Sequence, residues 1–131
     1  MPVLFIPDEI VLLIHRDTLR IYGGRPGIRV RHLLESALPQ PKMTMGRRFV
    51  HRTLFEKAAA YGFHVCSNHP FIDGNKRVSF LLMVIFLDRN GWDMKATEED
   101  AYSLMIDLAR GRISKSALAI WLKEHSSKRR S

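Results

Sequence analysis

The feature that most constrains the fold is a run of ten residues without charge, Val78–Leu87, in which only Ser79 is polar. A run of this length suits a helix that is buried on all sides, because a membrane-spanning helix needs roughly 18 apolar residues. The pair Asn90-Gly91 that follows is a typical helix stop. We therefore predict a buried central helix over residues 75–90, around which the other elements pack.

A polar loop leads directly into this helix. The first turn of a helix leaves backbone N–H groups unpaired and carries the positive end of the helix dipole, so it attracts anions. Glycine just before the helix lets a ligand approach the backbone, and a lysine and an arginine add fixed positive charge. For the asparagine, two roles stay open: donating to a phosphate oxygen or holding the shape of the loop. The predicted phosphate-binding residues are Gly74, Asn75, Lys76 and Arg77.

Two further side chains in the loop suggest chemistry. His69 is a candidate base, because imidazole titrates near neutral pH and can accept a proton from an alcohol. From its spacing, Asp73 is either the N-cap of the helix or a ligand for Mg²⁺, which takes one or two carboxylates together with phosphate oxygens. Phe71 is expected to anchor the loop in the core. A base, an anion cradle and a carboxylate are what phosphoryl or nucleotidyl transfer requires.

Residues 69–77, His-Pro-Phe-Ile-Asp-Gly-Asn-Lys-Arg, resemble the signature loop of the Fic/Doc superfamily. The ending Gly-Asn-Lys-Arg, in place of Gly-Asn-Gly-Arg, resembles the death-on-curing (Doc) toxin branch. Segments 24–29, 33–41 and 53–60 follow the order of the family, so the resemblance covers roughly residues 5–124. It implies that His69 is the catalytic base, that Asp73 holds Mg²⁺ and that ATP is the substrate.

Two departures from the Fic pattern bear on the reaction. In Fic enzymes that transfer AMP, the position of Lys76 is a glycine, and a second arginine stands where this chain has Phe80. Doc-type members share both departures and resemble kinases that bind ATP inverted and pass its γ-phosphate to a Ser or Thr hydroxyl of a protein. The resemblance therefore implies a toxin that blocks translation by modifying an elongation factor and is restrained by a small antitoxin, through which alone it would reach DNA.

Two other functions stay open at this point. The first is a Fic-type AMP transferase that uses the same residues with the opposite nucleotide pose. The second is a non-catalytic DNA-binding or autoregulatory module, for which the segment with Arg29, Arg31 and His32 is the candidate recognition helix. The central helix is too apolar to serve that purpose.

Residues 39–52 form a polar, basic connection that is long for a small domain, and long connections tend to be functional. They resemble the family's flap, which lies beside the active site and docks an extended segment of the target by strand-like pairing. Arg47 and Arg48 replace small or acidic residues, so the identity of the target is open. The expected docking residues are Thr44, Met45, Gly46, Arg47 and Arg48.

Five more helices follow from apolar spacing and capping signals, with approximate ranges 7–20, 30–38, 53–67, 97–111 and 114–122. Thr53 with Glu56 forms a capping box, and Thr97 and Ser114 are further N-cap candidates. No segment has convincing strand alternation. We predict an all-α, compact bundle of about six helices, Fic/Doc-like, with one domain at 1–125 and a basic C-terminal tail at 126–131.

Composition supports a folded domain outside the membrane. The chain has 131 residues, 46% hydrophobic and 26% charged, and a net charge of +8, which suits nucleic acid, phosphates or an acidic partner such as an antitoxin. Its N-terminus lacks the features of a signal peptide, and we expect a cytoplasmic protein. Cys66 is the single cysteine, so an internal disulfide is excluded; a core residue and a nucleophile are its alternatives.

Overall fold

The computed structural model describes residues 2–130, and within them the chain forms six α-helices. Their bounds are α1 Asp8–Tyr22, α2 Arg31–Ala37, α3 Leu54–Asn68, α4 Asn75–Arg89, α5 Glu98–Ala109 and α6 Lys115–Glu124. Four short strands accompany them: β1 Thr44–Met45, β2 Arg48–Phe49, β3 Trp92–Met94 and β4 Ser126–Lys128. The predicted helical class is confirmed, and the six predicted helices are all present.

Helices α3 and α4 pack along each other at the centre of the bundle. Helix α4 also contacts α1, α5 and β3, whereas α3 also contacts α2, α5 and α6, so the predicted central helix shares this place with α3. The fully buried side chains of α4 recur every three or four residues and share one side of the helix, as Val78, Leu82 and Phe86 do. The apolar residues of the other side are half-buried, so the helix is not buried on all sides. Gly62 of α3 faces Met83 of α4 so closely that an added Cβ would lie 2.8 Å from Met83 Cγ, so this glycine lets the two helices approach. Among the described helices, none has the length and apolarity needed to cross a membrane.

Three helices begin where the capping signals predict. The side chains of Thr53, Thr97 and Ser114 each accept a hydrogen bond from the backbone amide three residues later, at 3.0 to 3.1 Å. At the first of these, Glu56 Oε2 also accepts from the Arg52 amide at 3.2 Å. Hydrogen bonds between the first turn of α3 and the residues before it thus run in both directions. These bonds depend only on residues within one turn, which is why the sequence predicts them well.

Short strands are present although no segment has convincing strand alternation. Strands β1 and β2 form an antiparallel hairpin, with Thr44 opposite Phe49 and Met45 opposite Arg48. Strands β3 and β4 form a second antiparallel pair between residues far apart in sequence. Strands of two or three residues are too short to show an alternating pattern, so periodicity could not reveal them.

The second pair involves the segment predicted as a basic tail. Ser126 lies opposite Met94 and Lys128 opposite Trp92, so this segment lies on the fold. Beyond the strand, the Arg129 guanidinium donates to the Asp93 carboxylate at 2.6 Å and also to the Asp88 carboxylate. The positive charge at this end of the chain is thus partly used inside the molecule.

Candidate active site

A cavity of about 1000 Å³ opens between the ends of α1 and α4 and the side of α5. The loop before α4 and the first turn of this helix form its polar end, while apolar residues of α4 and α5 form the opposite wall. The structure brings to this one cavity every predicted catalytic, metal-binding and phosphate-binding residue: His69, Asp73, Gly74, Asn75, Lys76 and Arg77.

The N-terminus of α4 presents a cradle of backbone amides to the cavity. Gly74 is the N-cap, with φ 87°, a left-handed conformation that favours glycine. Its carbonyl accepts from the Val78 amide at 2.9 Å, so the amides of residues 75–77 precede the first bonded turn and are the ones a helix mouth offers to an anion. An added Cβ at Gly74 would make only an ordinary contact with Leu19 Cδ2, at 3.4 Å, so the left-handed backbone rather than lack of space favours glycine here.

Asn75 serves the loop rather than the phosphate. Its Oδ1 accepts from the Phe71 amide at 3.0 Å, and its Nδ2 donates to the Phe71 carbonyl at 2.9 Å. The side chain is 4% exposed, so both of its functional groups are committed in the interior. This corrects the prediction of a phosphate-binding side chain at Asn75, which contributes only its backbone amide to the cradle. Phe71 is fully buried, where a loop anchor would lie.

His69 ends α3 in a left-handed conformation, with φ 49° and ψ 54°. Among the described residues it is the only non-glycine residue with a positive φ, which is a strained position. The Arg29 guanidinium fastens this turn, because its Nε donates to the His69 carbonyl at 2.7 Å and its Nη2 donates to the Asn68 carbonyl at 3.1 Å. No local pattern indicates these two hydrogen bonds, because Arg29 lies 40 residues away from His69.

The structure excludes one of the two predicted roles of Asp73. The N-cap of α4 is Gly74, and no side-chain bond caps the helix. Instead, Asp73 Oδ2 accepts from the Arg25 amide at 2.7 Å, which orients the half-buried carboxylate at the cavity. No group of three His, Cys, Asp or Glu residues within 2–130 could enclose a metal. A single oriented carboxylate fits Mg²⁺, which takes its other ligands from phosphate and water.

His15 supports the loop from beneath, a role that the sequence did not suggest. Its Nε2 donates to the Asp73 carbonyl at 2.9 Å, and its ring stacks on Phe71 with centroids 3.8 Å apart. It is 6% exposed and lies on the buried face of α1 with Val11 and Thr18. The spacing of Val11, His15 and Thr18 along α1 was the one sequence signal for this role, because it places His15 on the inner side of the helix.

The basic hairpin contributes no residue to the lining of the cavity. Phe49 contacts Phe5 with ring centroids 5.7 Å apart, and Lys57 Nζ lies 4.3 Å from its ring centre. Phe5 in turn contacts Phe86 at the far end of α4. The hairpin leads into the start of α3, whose other end carries His69. Both the role of a flap beside the active site and target docking stay predictions for Thr44, Met45, Gly46, Arg47 and Arg48.

A second group of basic side chains lies between α3, α6 and the segment before α3. His51 is 6% exposed, and its Nδ1 has no hydrogen-bond partner among the described residues. The Lys115 ammonium donates to His64 Nε2 at 3.1 Å. Burial, followed by the positive charges of Lys115 and His51, lowers the pKa of His64 to about 4. Burial and the neighbouring Lys115 ammonium thus keep the His64 imidazole in its neutral form.

The stability of the protein should therefore fall in mild acid. Between the ordinary histidine pKa of 6.5 and about 4, the unfolded chain binds a proton at His64 that the folded chain does not. The free energy of unfolding then decreases as the pH falls through this range. Urea unfolding at pH 7 and at pH 4.5 measures the effect. His64→Gln should flatten the decline, whereas His32→Gln, at an exposed position of α2, should leave it unchanged; an equally steep decline in His64→Gln would contradict the assignment.

Comparison with known proteins identifies a family to which this chain is similar. The profile of the Fic/DOC family matches residues 5–87, more than half of the chain. A protein of Escherichia phage P1 named protein kinase doc is 31% identical over 117 residues, which cover 89% of this chain and 90% of that relative. The toxin Doc of Mycolicibacterium smegmatis is 33% identical over 75 residues, which cover 57% of this chain and 58% of the relative.

Three features of this chain define its class of protein, the Fic/DOC class. They are a helical domain, an amide cradle at the mouth of α4 and a histidine beside that cradle. The matching segment contains the cradle and the histidine, since the signature loop and α4 lie within residues 5–87. The chain belongs to the Fic/DOC family and lies in its Doc branch.

Proposed function

We propose that the protein is a Doc-type toxin that transfers the γ-phosphate of ATP to a Ser or Thr hydroxyl of a protein, a translation elongation factor, and so blocks translation. The observation that carries this proposal is that His69 and the amide mouth of α4 line one cavity, with Lys76 and Arg77 beside them. The names of the two relatives, a protein kinase and a toxin, support it.

The chemistry follows from the positions of these groups. The amides of residues 75–77, with Lys76 and Arg77, bind the phosphate oxygens and hold the γ-phosphorus in line with the incoming hydroxyl. The hydroxyl oxygen forms a bond to the γ-phosphorus while the bond from that phosphorus to the bridging β,γ-oxygen breaks. The hydroxyl proton passes to the His69 imidazole, and ADP leaves. Asp73 would hold Mg²⁺, which when bound neutralises charge on the phosphates.

Two residues favour phosphate transfer over AMP transfer. Lys76 is an exposed cation in the first turn of α4, where AMP-transferring relatives of the Fic type have glycine. Phe80, one turn further along, lines the cavity with an apolar ring where those enzymes have a second arginine. Without this arginine the cavity lacks a second grip on the terminal phosphate, so the inverted nucleotide, with its γ-phosphate at the helix mouth, is favoured.

The proposal includes a partner. A net charge of +8 would attract a small acidic antitoxin, which would hold the toxin in check and provide any contact with DNA. Helix α2, the candidate recognition helix of the DNA-binding alternative, has only seven residues. Its exposed basic side chains are Arg31 and His32, which is little for reading a DNA groove. We place the reaction in the cytoplasm, where ATP and elongation factors are found.

Labelled ATP tests the reaction. The protein is incubated with a bacterial lysate and with either γ-labelled or α-labelled ATP, and the labelled band is analysed by intact mass. Label from the γ position alone and a mass increase of roughly 80 daltons are expected for phosphate, against roughly 330 for AMP. Label from the α position would favour the AMP transferase. Label from neither, together with salt-sensitive DNA binding, would favour the DNA-binding module.

A further inference from the structure

The side chain of Arg77 lies on the ring of Tyr22. The guanidinium carbon is 3.9 Å from the ring centroid, which is the distance of a close cation–π contact. Tyr22 is the last residue of α1, and Arg77 lies in the first turn of α4. Both residues are exposed and both line the cavity, so the contact joins two elements across its polar end.

Stacking leaves Arg77 able to bind phosphate. The ring covers one face of the planar guanidinium, whereas the five N–H donors point outward from its edge. Within residues 2–130, no carboxylate oxygen lies within 4.0 Å of a guanidinium nitrogen of Arg77, so Arg77 forms no ion pair there. The edge is therefore available for the bidentate contact that arginine makes with two phosphate oxygens.

The end of α1 is itself attached to the signature loop, so the backbone that carries the Tyr22 ring is held in place beside Arg77. The Gly23 amide donates to the Leu19 carbonyl at 2.7 Å, which closes the last turn of α1 just behind Tyr22. Gly24 packs so closely on the loop that an added Cβ would lie 3.2 Å from Asp73 Cβ. The loop that precedes α4 thus sets the position of the tyrosine that Arg77 rests on.

We propose that Tyr22 is a positioning residue for the phosphate grip. An exposed arginine loses rotamer freedom when it binds, and that loss weakens binding. The Tyr22 ring removes part of this freedom beforehand and aims the guanidinium edge at the helix mouth. The proposal rests on the proposed function, because it takes a nucleoside triphosphate as the ligand. It predicts an effect through the ring face rather than through the hydroxyl.

Calorimetric titration of the full chain with Mg²⁺ and inorganic tripolyphosphate tests the contact without any contribution from the base or the sugar. Tyr22→Ala should weaken binding by about 3- to 10-fold, and Tyr22→Phe, which keeps the ring, should stay within about twofold of wild type. Ile21→Ala is the matched control, because it truncates a more exposed side chain in the same helical turn. The melting temperatures of the three variants should agree with wild type, since both side chains are mostly exposed.

A double-mutant cycle with Arg77→Ala identifies the route of the effect. Once Arg77 is absent, Tyr22→Ala should cause no further loss of affinity. An equal loss in both backgrounds, or equal losses in Tyr22→Ala and Tyr22→Phe, would overturn the positioning role while the phosphate site stands. A wild-type chain that binds no tripolyphosphate would overturn both the site and the inference.

Discussion

Replacing His69 by asparagine is expected to lower the rate of phosphate transfer by about 10²- to 10⁴-fold, the usual contribution of a general base. The affinity for ATP should change by no more than about twofold, because in the proposed reaction the imidazole acts on the hydroxyl and not on the phosphates. Single-turnover transfer from γ-labelled ATP to the modified protein measures the first quantity, and titration with ATP measures the second. Loss of rate with retained binding is the expected signature of a missing base.

Asparagine is the informative substitution because His69 has a left-handed backbone, which asparagine tolerates well. His69→Ala should lose the same activity and in addition destabilise the turn at the end of α3. His32→Ala serves as the control, since this histidine is exposed on α2 and does not line the cavity. If His69→Asn transferred phosphate at nearly the wild-type rate, the assignment of His69 as the base would be wrong.

Replacing Lys57 by methionine is expected to lower the free energy of unfolding by about 2 to 3 kcal/mol, the cost of leaving buried carbonyl groups unpaired. Lys57 is 1% exposed, and its ammonium donates to the carbonyls of His51 at 2.6 Å and Arg52 at 3.0 Å. It also lies over the Phe49 ring, so it ties the basic hairpin to the start of α3. Methionine retains the length of the side chain but cannot donate.

Urea unfolding of Lys57→Met beside Lys123→Met provides the measurement and its control, because Lys123 is an exposed lysine near the end of α6. The surface variant should unfold at the same urea concentration as wild type. The alternative outcome has a clear physical basis: burial lowers the pKa of Lys57, so keeping an ammonium there has a cost that methionine would remove. Equal stability of Lys57→Met and wild type would mean that this cost cancels the two hydrogen bonds.

The contrast between Asn75 and Arg29 shows how far the sequence could lead. Asn75 lies inside the signature loop, so its place beside the helix mouth was predicted, but the spacing left two roles open. Its 4% exposure and its two bonds to Phe71 decided between them. Arg29 was assigned only to a possible recognition helix, and it instead donates to the carbonyl of His69. No local pattern relates residues so far apart.

The hairpin shows the same limit for a whole element. Its composition and its family resemblance predicted a flap beside the active site, and the structure has a hairpin at the expected residues. Its position depends on the contacts of Phe49 with Phe5 and Lys57. A linear pattern does not report a contact between residues as distant in sequence as Phe5 and Phe49.

Residues 69–77 and the uncharged run after them were enough to predict the central helix, its anion-binding mouth and the adjacent histidine, because all of these depend on neighbours within a few positions. The tertiary structure alone decided which side chains support them: His15 beneath the Asp73 carbonyl, Arg29 on the His69 carbonyl and Tyr22 under Arg77. Such contacts join residues 40 to 58 positions apart. They exist only once packing has brought α1 and the segment before α2 against the loop that precedes α4.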